Sequence, residues 1–311
     1  MHRRHLLVLV ALLFGCGGKG AASGADAKTV ADADPVALLP PSSIVVASLE
    51  ARAMYASASI GATLATFTGS LVPFGPEAGF QASRDVDRVT FGAYAGSEAD
   101  VAAVLSGRFD LDKIAAATTT KTGAAIVKAT YAGFATDAIG AVTIAPITAK
   151  TLVVGTSERV HRVLDRLGSG ALQRSVPPWV SDTLNTPGAQ FVVTADFATQ
   201  PIASATIGSI NLSWLKGLQV VRAIGDFDAP GINVAGTLTY GTPTEAQGAA
   251  DGIHVLDGLQ KVLAPLLLGA RVQNLQVSSS GSDVSCKFAL DGSSIGALLS
   301  LATRYALPPA R

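Results

Sequence analysis

The sequence predicts an α+β protein made of two related modules, each running roughly β-α-β-β-α-β-β-α, with an antiparallel sheet covered by helices. Three markers recur in the same order in residues 36–167 and 188–311: a strand followed by an uncharged stretch, a pair of strands, and a strand that leads into a closing helix. Strands joined by short turns favour an antiparallel sheet with helices on one face. The series predicts an internal duplication, with residues 168–187 as a linker rich in Gly, Pro and Ser.

The first marker is a strand candidate that opens each module. Residues 41–50 and 187–196 are short, rich in β-branched residues and bounded by Pro or Gly, a pattern typical of strands. Each is followed by a stretch without charged residues, at 53–76 and 197–215. Two interpretations of these stretches stay open: helices packed on their own sheets, or the walls of a shared cleft.

The second marker is a pair of strands followed by a helix. Side chains alternate between the two sides of a strand, and apolar residues do so in one strand of each half: Val101, Ala103 and Leu105, then Ile232, Val234 and Leu238. The helix that follows is predicted to be capped by Asp110 in the first half and by the Thr242–Glu245 capping box in the second. One additional strand is expected in the first half, within residues 126–145.

The third marker is a short apolar strand that runs directly into the closing helix of each half. Residues 151–154 lead into a predicted helix at 157–167, and residues 284–290 lead into a helix that begins near Ser293. The order of the three markers is the same in both halves, which is why the sequence predicts duplication. Whether the two modules share one sheet is left open by the pattern.

Charge and composition limit the classes of function. The chain has 311 residues, a formal net charge of zero and only 15% charged residues, against about 25% in ordinary soluble domains. Removal of residues 1–15 would leave a net charge of −2. A basic stripe or patch is the electrostatic signature of nucleic-acid binding, and this sequence predicts no such partner.

The N-terminus has the features of an export signal. Arg3 and Arg4 precede an uncharged run from Leu6 to Phe14, and Cys16 follows that run. Nine residues are too few to span a bilayer, which takes about 20, but they suit the apolar region of a signal peptide. An ordinary signal peptide that happens to contain a cysteine is the alternative interpretation.

Leu13-Phe14-Gly15-Cys16 resembles the lipobox of bacterial lipoproteins. The resemblance implies that residues 1–15 are removed and that the Cys16 thiol carries a diacylglycerol anchor. Residues 16–35 would then form a flexible, low-complexity tether, since they are mainly Gly, Ala, Ser, Lys and Asp. Gly17 stands where some lipoproteins carry an inner-membrane retention Asp, so the resemblance favours the outer membrane, facing the periplasm, over the inner membrane.

Chemistry-bearing motifs are incomplete, and the sequence predicts no enzyme, metal site or cofactor. Residues 292–296 match Gly-x-Ser-x-Gly, but no Asp, Glu or His follows them, as a hydrolase of that type requires. Only His161 and His254 remain after the signal, and the one possible ligand at helical spacing is Asp165, four residues after His161. A single His/Asp pair on a charged helix face is more often solvated than a zinc site. Cys286 alternates with apolar residues, so we expect an inert thiol in the core.

Two functions are compatible with these features. The first is a membrane-tethered envelope lipoprotein with a structural or interaction role, which presents a surface to an envelope protein partner. The alternative is a carrier for an apolar small molecule or lipid, in a cleft lined by the two uncharged stretches through Ile60, Leu64, Phe67, Phe74, Ile207, Ile210 and Trp214. A continuous cavity of several hundred Å3 would favour a carrier, and a close-packed core would exclude it.

Overall fold

A computed structural model describes residues 24–95, 100–202, 206–207, 210–211, 213–258 and 271–306. Cys16 and the signal segment lie outside the described residues. Within the described ranges, no helix has both the length and the apolar character needed to cross a bilayer.

Twelve strands form one continuous antiparallel sheet, so the two halves share a sheet. The sheet order is β13-β14-β12-β11-β8-β1-β2-β3-β7-β6-β5-β4, and β9 and β10 form a separate small hairpin. The strands are β1 (Ser43–Leu49), β2 (Val86–Tyr94), β3 (Asp100–Gly107), β4 (Val127–Tyr131), β5 (Phe134–Ile139), β6 (Val142–Thr148), β7 (Thr151–Gly155), β8 (Phe191–Asp196), β9 (Thr206–Ile207), β10 (Ile210–Asn211), β11 (Leu218–Asp226), β12 (Gly231–Tyr240), β13 (Val272–Ser280) and β14 (Asp283–Asp291).

Helices pack on both sides of this sheet. They are α1 (Gly24–Ala33), α2 (Pro35–Leu38), α3 (Ala51–Ala56), α4 (Gly61–Leu71), α5 (Ala82–Asp85), α6 (Leu111–Ala116), α7 (Ser157–Ser169), α8 (Pro178–Leu184), α9 (Pro243–Gly258) and α10 (Gly292–Ala306), with short 3-10 turns at Pro76–Ala78 and Ser213–Leu215. The prediction of an α+β protein with a helix-covered antiparallel sheet is confirmed.

The predicted helix caps form. The Asp110 carboxylate accepts a hydrogen bond from the Lys113 backbone N–H at 3.1 Å, which satisfies a donor at the start of α6. At the start of α9, the Thr242 hydroxyl accepts from the Glu245 backbone N–H at 3.2 Å. Helix α7 ends at Gly170, whose φ of 69° is the left-handed conformation that glycine adopts without steric cost.

The two faces of the sheet differ in how far the helices cover them. We define the front face as the side that carries Leu105 and Leu238, and the back face as the side that carries Val46 and Val104. Helices α3–α6 cover the front face of the first half, and α9 and α10 cover that of the second. Helices α1, α2 and α7 cover the back face from β1 towards β6, around a core that includes Val46 and Val104. Helix α8 covers β1 and β8 at the junction of the halves, and its Trp179 ring lies against Arg222 of β11. The expectation of helices on one face is therefore wrong for the first half. In the second half it holds, among the described residues, for β12–β14 but not for β8, where α8 packs on the back face.

The expectation of a flexible tether does not hold for residues 24–33, which form α1. The side chains of Ala27 and Ala31 are buried in the back-face core. The Asp32 carboxylate accepts hydrogen bonds from the Thr148 and Thr151 hydroxyls at 2.5 and 2.6 Å, which fixes the end of α1 to the β6–β7 turn. Small residues that look like a tether in the sequence are here the contact face of a helix.

The predicted linker is also partly structured, because residues 178–184 form α8. Val180 is buried on the back face, and Trp179 packs beside it. Among the described residues, the first half contributes seven strands to the sheet and the second half five, so the first half has two more strands than the second rather than one. These two, β4 and β5, are joined by a tight turn in which Ala132 and Gly133 both have positive φ, as two-residue hairpin turns require.

Candidate ligand pocket at the seam between β1 and β8

The residues predicted to line an apolar cleft belong to separate core clusters. Ile60 and Leu64 pack with Met54, Phe227 and Ile295 at one end of the front face. Phe74 is buried in the front-face core of the first half, and Phe67 is half-buried. Under residues 53–76 the structure therefore has packed core, formed by helices α3 and α4 and the segment after them.

The second uncharged stretch, 197–215, has a different structure from the first. Its described part contains the hairpin β9–β10 and the 3-10 turn at Ser213–Leu215 rather than a helix. The side chains of Ile207 and Ile210 lie outside the described residues. Trp214 packs on α9 in a third cluster, so the structure does not bring it together with Ile60, Leu64 or Phe74.

Trp214 does line a small cavity of about 320 Å3, together with Lys216, Glu245 and α9 residues Gly248 and Ala249. The Trp214 indole N–H is buried and has no hydrogen-bond partner in the described part of the chain. Its backbone carbonyl accepts from the Tyr240 hydroxyl at 2.9 Å. The wall of this cavity is mixed, since it carries one cation and one carboxylate beside the indole.

A better-defined pocket lies on the back face, where β1 and β8 join the two halves. We call this cavity of about 330 Å3 the seam pocket. Its floor is formed by the paired strands, with Val46 opposite Thr194, and its side wall comes from Pro177 and Val180 at the start of α8. Segments far apart in the sequence thus build one concavity.

Neutral polar side chains ring the seam pocket. They are Ser42, Ser43, Ser175, Thr199 and Gln200. Ser42 has a φ of 67°, a left-handed conformation that residues other than glycine rarely adopt. Strain of this kind, of order 1–3 kcal/mol, tends to occur at ligand-binding sites.

One charged group lines the seam pocket, the carboxylate of Asp196 at the end of β8. One Asp196 oxygen accepts a hydrogen bond from the Ala198 backbone N–H at 3.0 Å, which orients the carboxylate. The polar groups on the floor of the pocket are already hydrogen-bonded, since the Thr194 hydroxyl donates to the Val46 carbonyl at 2.8 Å. Lysine and arginine are absent from the lining, as far as the described residues show.

A wider groove of about 550 Å3 lies on the uncovered back face of the second half. It is lined by residues 187–189, 224–226, 233–235 and 287–289, together with Asn274 and Gln276. The Asp226 carboxylate is engaged, because it accepts from the Asn233 amide at 2.7 Å. Lys287 is exposed there. This groove is wide and open, and its lining mixes polar side chains with apolar ones such as Ile224 and Ala235.

The Gly-x-Ser-x-Gly motif at residues 292–296 has a structural role. The Ser294 hydroxyl is buried and exchanges hydrogen bonds with the backbone of Arg271, at 2.9 and 3.0 Å. Asp291 accepts from the Ser294 backbone N–H, and this bond and its neighbours lower the pKa of the Asp291 carboxyl. The motif thus caps α10 and ties it to the start of β13.

The remaining reactive side chains also pack against neighbours. Cys286 lies on the front face as predicted, and burial raises the pKa of its thiol, which keeps it protonated. His161 on α7 stacks on Tyr131 of β4 with ring centres 3.7 Å apart. The described residues contain no group of three or more His, Cys, Asp or Glu side chains placed to hold a metal ion.

None of the individually predicted site residues lies in the seam pocket, although Thr199 and Gln200 fall within the uncharged stretch 197–215. Ser, Thr and Gln occur throughout the chain and carry no spacing signature. The one available signal was position, because Ser42 and Ser175 each lie within two residues of a proline at the start of a structural element. That signal marks turns in general and does not distinguish a binding site.

Comparisons with known proteins give a fold and no family. No family model matches this chain, and no curated protein matches it. Among solved structures, it is similar to TP0453 in three crystal forms, with TM-scores of 0.53, 0.54 and 0.55 and sequence identities of 11, 12 and 11%. Each comparison covers 86% of this chain and 96 to 98% of TP0453. At this identity the likeness shows the shared fold alone.

Proposed function

We propose that this protein is a lipid-anchored lipoprotein of the bacterial cell envelope that acts by binding a partner rather than by catalysis. The observation that carries the proposal is the N-terminal series of Arg3 and Arg4, a short uncharged run and Cys16. The anchor is the acylated Cys16, on the outer membrane and facing the periplasm. Two or more acyl chains give a stable attachment, since each buried methylene contributes about 0.8 kcal/mol.

The fixed helix α1 supports a close attachment of the body to the membrane. Seven residues separate Cys16 from Gly24, where α1 begins, and the eight extended steps between them reach roughly 30 Å at most. Asp34 pairs with Arg174 at 2.8 Å, next to the Asp32 contacts, so the start of the folded body is tied down. A partner would therefore be met near the membrane surface.

We further propose that the body arose by internal duplication. Read outward from the central pair, the first half follows β1-β2-β3-β7-β6 and the second follows β8-β11-β12-β14-β13. Ala47 pairs with Val193, and the same two residues coincide when the segments that begin at Pro41 and Pro187 are aligned. A two-fold axis through this pair relates the halves, and β4 and β5 are an addition to the first.

Packing in the described part of the chain disfavours a single cleft shared by the two stretches. Ile60, Leu64 and Phe74 are buried in two different core clusters, and the cavity of about 320 Å3 beside Trp214 is separate from both. Exposed polar surface on the back face and at the seam fits a binding role better.

Intact mass spectrometry of the membrane-extracted protein tests the anchor. We expect a chain that begins at Cys16 with the added mass of diacylglycerol, and loss of that mass and of membrane association in Cys16→Ala. Cleavage elsewhere without added lipid would reject the lipoprotein proposal. Total protein in each fraction is the control that separates failed anchoring from failed expression.

A further inference from the structure

We propose that the seam pocket binds a neutral polyhydroxylated ligand, such as a sugar residue. The inference deepens the proposed binding function and rests on it, but it does not require the lipid anchor. Three features carry the argument: the size of the pocket, the hydrogen-bonding groups at its rim, and the absence of positive charge from its lining.

The size and shape suit a small ligand. The pocket volume of about 330 Å3 lies at the lower end of the range of roughly 300–1,000 Å3 found for small-molecule sites. Two strands and the start of α8 enclose it. Val46 and Val180 contribute apolar side chains to its lining, against which the C–H face of a sugar ring can pack.

The rim offers free hydrogen-bonding capacity. The side chains of Ser42, Thr199 and Gln200 make no hydrogen bond with any described residue, so they are available to a ligand. A hydroxyl both donates and accepts, and an amide does the same through two atoms. Hydroxyl groups of a sugar have the same dual character, and each can satisfy one donor and one acceptor of the rim.

Electrostatics exclude the other common polar ligands. Phosphates and carboxylates are normally held by Arg, Lys or helix N-termini, and the described lining has no Lys or Arg side chain. The start of α8 is a poor anion site, because Pro177 and Pro178 have no backbone N–H and the Val180 N–H already donates to the Pro177 carbonyl. Asp196 repels anions. A cationic ligand would favour an aromatic cage or several carboxylates, whereas the lining contains one carboxylate and no aromatic ring. Asp196 is instead suited to accept hydrogen bonds from two neighbouring hydroxyls of a neutral ligand.

Saturation-transfer NMR on the purified full-length protein tests the proposal. The probes are methyl glucoside and methyl N-acetylglucosaminide as neutral sugars, with glucose 6-phosphate as the anionic control and glucosamine as the cationic control. We expect transfer to the neutral sugars at millimolar concentration and none to the phosphate. Transfer to neither neutral sugar, or stronger transfer to a charged one, overturns the proposal.

Variants locate the binding. Asp196→Ala and Gln200→Ala should each weaken binding about tenfold, which corresponds to one lost hydrogen bond of about 1.4 kcal/mol. Gln276→Ala and Ser278→Ala remove comparable groups from the exposed β13 strand and should leave binding unchanged. Equal binding by all four variants overturns the seam assignment. Circular dichroism of each variant separates lost binding from lost folding.

The ligand of the seam pocket could be a free sugar or the terminal sugar of an envelope glycan, because both present the same hydroxyl groups. A trisaccharide with the same terminal residue distinguishes them. If the ligand is a glycan end, the trisaccharide should bind at least as tightly as the methyl glycoside, and if it is a free sugar, it should bind more weakly. Failure of the anchor test leaves these outcomes unaffected, because the pocket is formed by the body alone.

Discussion

Helices α7 and α10 close the two halves of the molecule, yet they pack on opposite faces of one sheet. Helix α7 buries Val160, Val163 and Leu164 on the back face, while α10 buries Ile295 on the front face beside α4. The strand pairings match each position in the first half with one in the second. On that match, α10 begins three residues after the position that corresponds to the start of α7. Side chains alternate between the two faces of a strand. A shift by an odd number of residues therefore makes the chain leave the strand towards the opposite face.

The side chains on the back face of the sheet explain why helices cover this face in the first half and leave it open in the second. Counting outward from the Ala47–Val193 pair gives equivalent back-face positions in the two halves: Val104 and Thr237, Val153 and Ser285, and Gly155 and Lys287. The first of each pair is small or apolar and is buried under helices, and the second is polar. At these three positions the first half offers a closing helix apolar surface to bury and the second half does not, whereas Ala102 and Ala235 are alike.

The largest expected effect comes from a charge placed on the covered face. Val104 has no exposed surface, so Val104→Asp would bury a carboxylate without a partner and cost more than about 4 kcal/mol. We expect the variant not to fold. Thr237→Asp, at the equivalent open position, should change stability by less than about 0.5 kcal/mol. Urea unfolding followed by circular dichroism measures both, and similar losses at the two sites would contradict the contrast.

Truncation of the closing helices should show a smaller difference. Leu164→Ala on α7 removes a fully buried side chain and should cost about 3 kcal/mol through lost burial and the cavity left behind. Leu298→Ala on α10, where 39% of the residue is exposed, should cost under about 1 kcal/mol. The midpoints of thermal unfolding compare the two variants. A larger loss for Leu298→Ala would mean that α10 contributes more to the core than the contacts indicate.

The ion pair that holds α7 to the sheet should give a pH-dependent effect. Arg159 binds Asp100 at 2.5 Å and lies over the Tyr94 ring at 4.2 Å. Hydrogen bonding to Arg159 lowers the pKa of Asp100. The pair therefore contributes stability above the ordinary carboxyl pKa of about 3.9, and the contribution is lost as pH falls through the lowered folded-state pKa.

Asp100→Asn should accordingly cost about 1–2 kcal/mol at pH 7, and the difference from the wild type should shrink below about pH 4. Unfolding curves collected between neutral and acidic pH measure it. A constant difference across that range would show that the carboxylate charge is not involved. Asp283→Asn, at the second-half edge, serves as the control, since Asp283 accepts a single hydrogen bond from the exposed Thr239.

The smallest expected effect comes from replacing a polar side chain by an apolar one on the open back face of the second half. Ser285→Val places an apolar side chain on the uncovered surface and should change stability by less than about 0.5 kcal/mol. Val153→Ser, its counterpart under α7, should cost about 2 kcal/mol because Val153 is fully buried. Chemical unfolding of the two single variants tests this. Equal costs would mean that both back faces are covered.

The sequence predicts much of the second half correctly because its strands alternate cleanly between apolar and polar residues. In β12, Ile232, Val234 and Leu238 lie on the front face, as expected. In β3, Val101, Ala103 and Leu105 are half-buried, whereas Ala102 and Val104 between them are fully buried. Because Ala102 and Val104 are small, they do not stand out as apolar positions in the sequence pattern. A strand that is buried on both faces therefore resembles one that is buried on one face only.

Other features depend on contacts that the sequence does not display. The buried face of α1 consists of Ala27 and Ala31, residues too small to give an apolar signal. The seam pocket combines Ser42, Ser175 and Asp196, from three segments that meet only because β1 pairs with β8. Pairing between distant strands is the step that sequence periodicity cannot supply.

Thiol labelling at two equivalent alanines tests the contrast between the two back faces most directly. Ala102 and Ala235 occupy matching positions under the proposed duplication, so Ala102→Cys and Ala235→Cys would be compared in a Cys286→Ser background, with a charged maleimide and peptide mass mapping. We expect the thiol at 235 to react readily in the native protein. The thiol at 102 should be protected at least about 100-fold, because it is exposed only when α7 and its neighbours open. Equal rates at the two positions would contradict an open second half and a covered first.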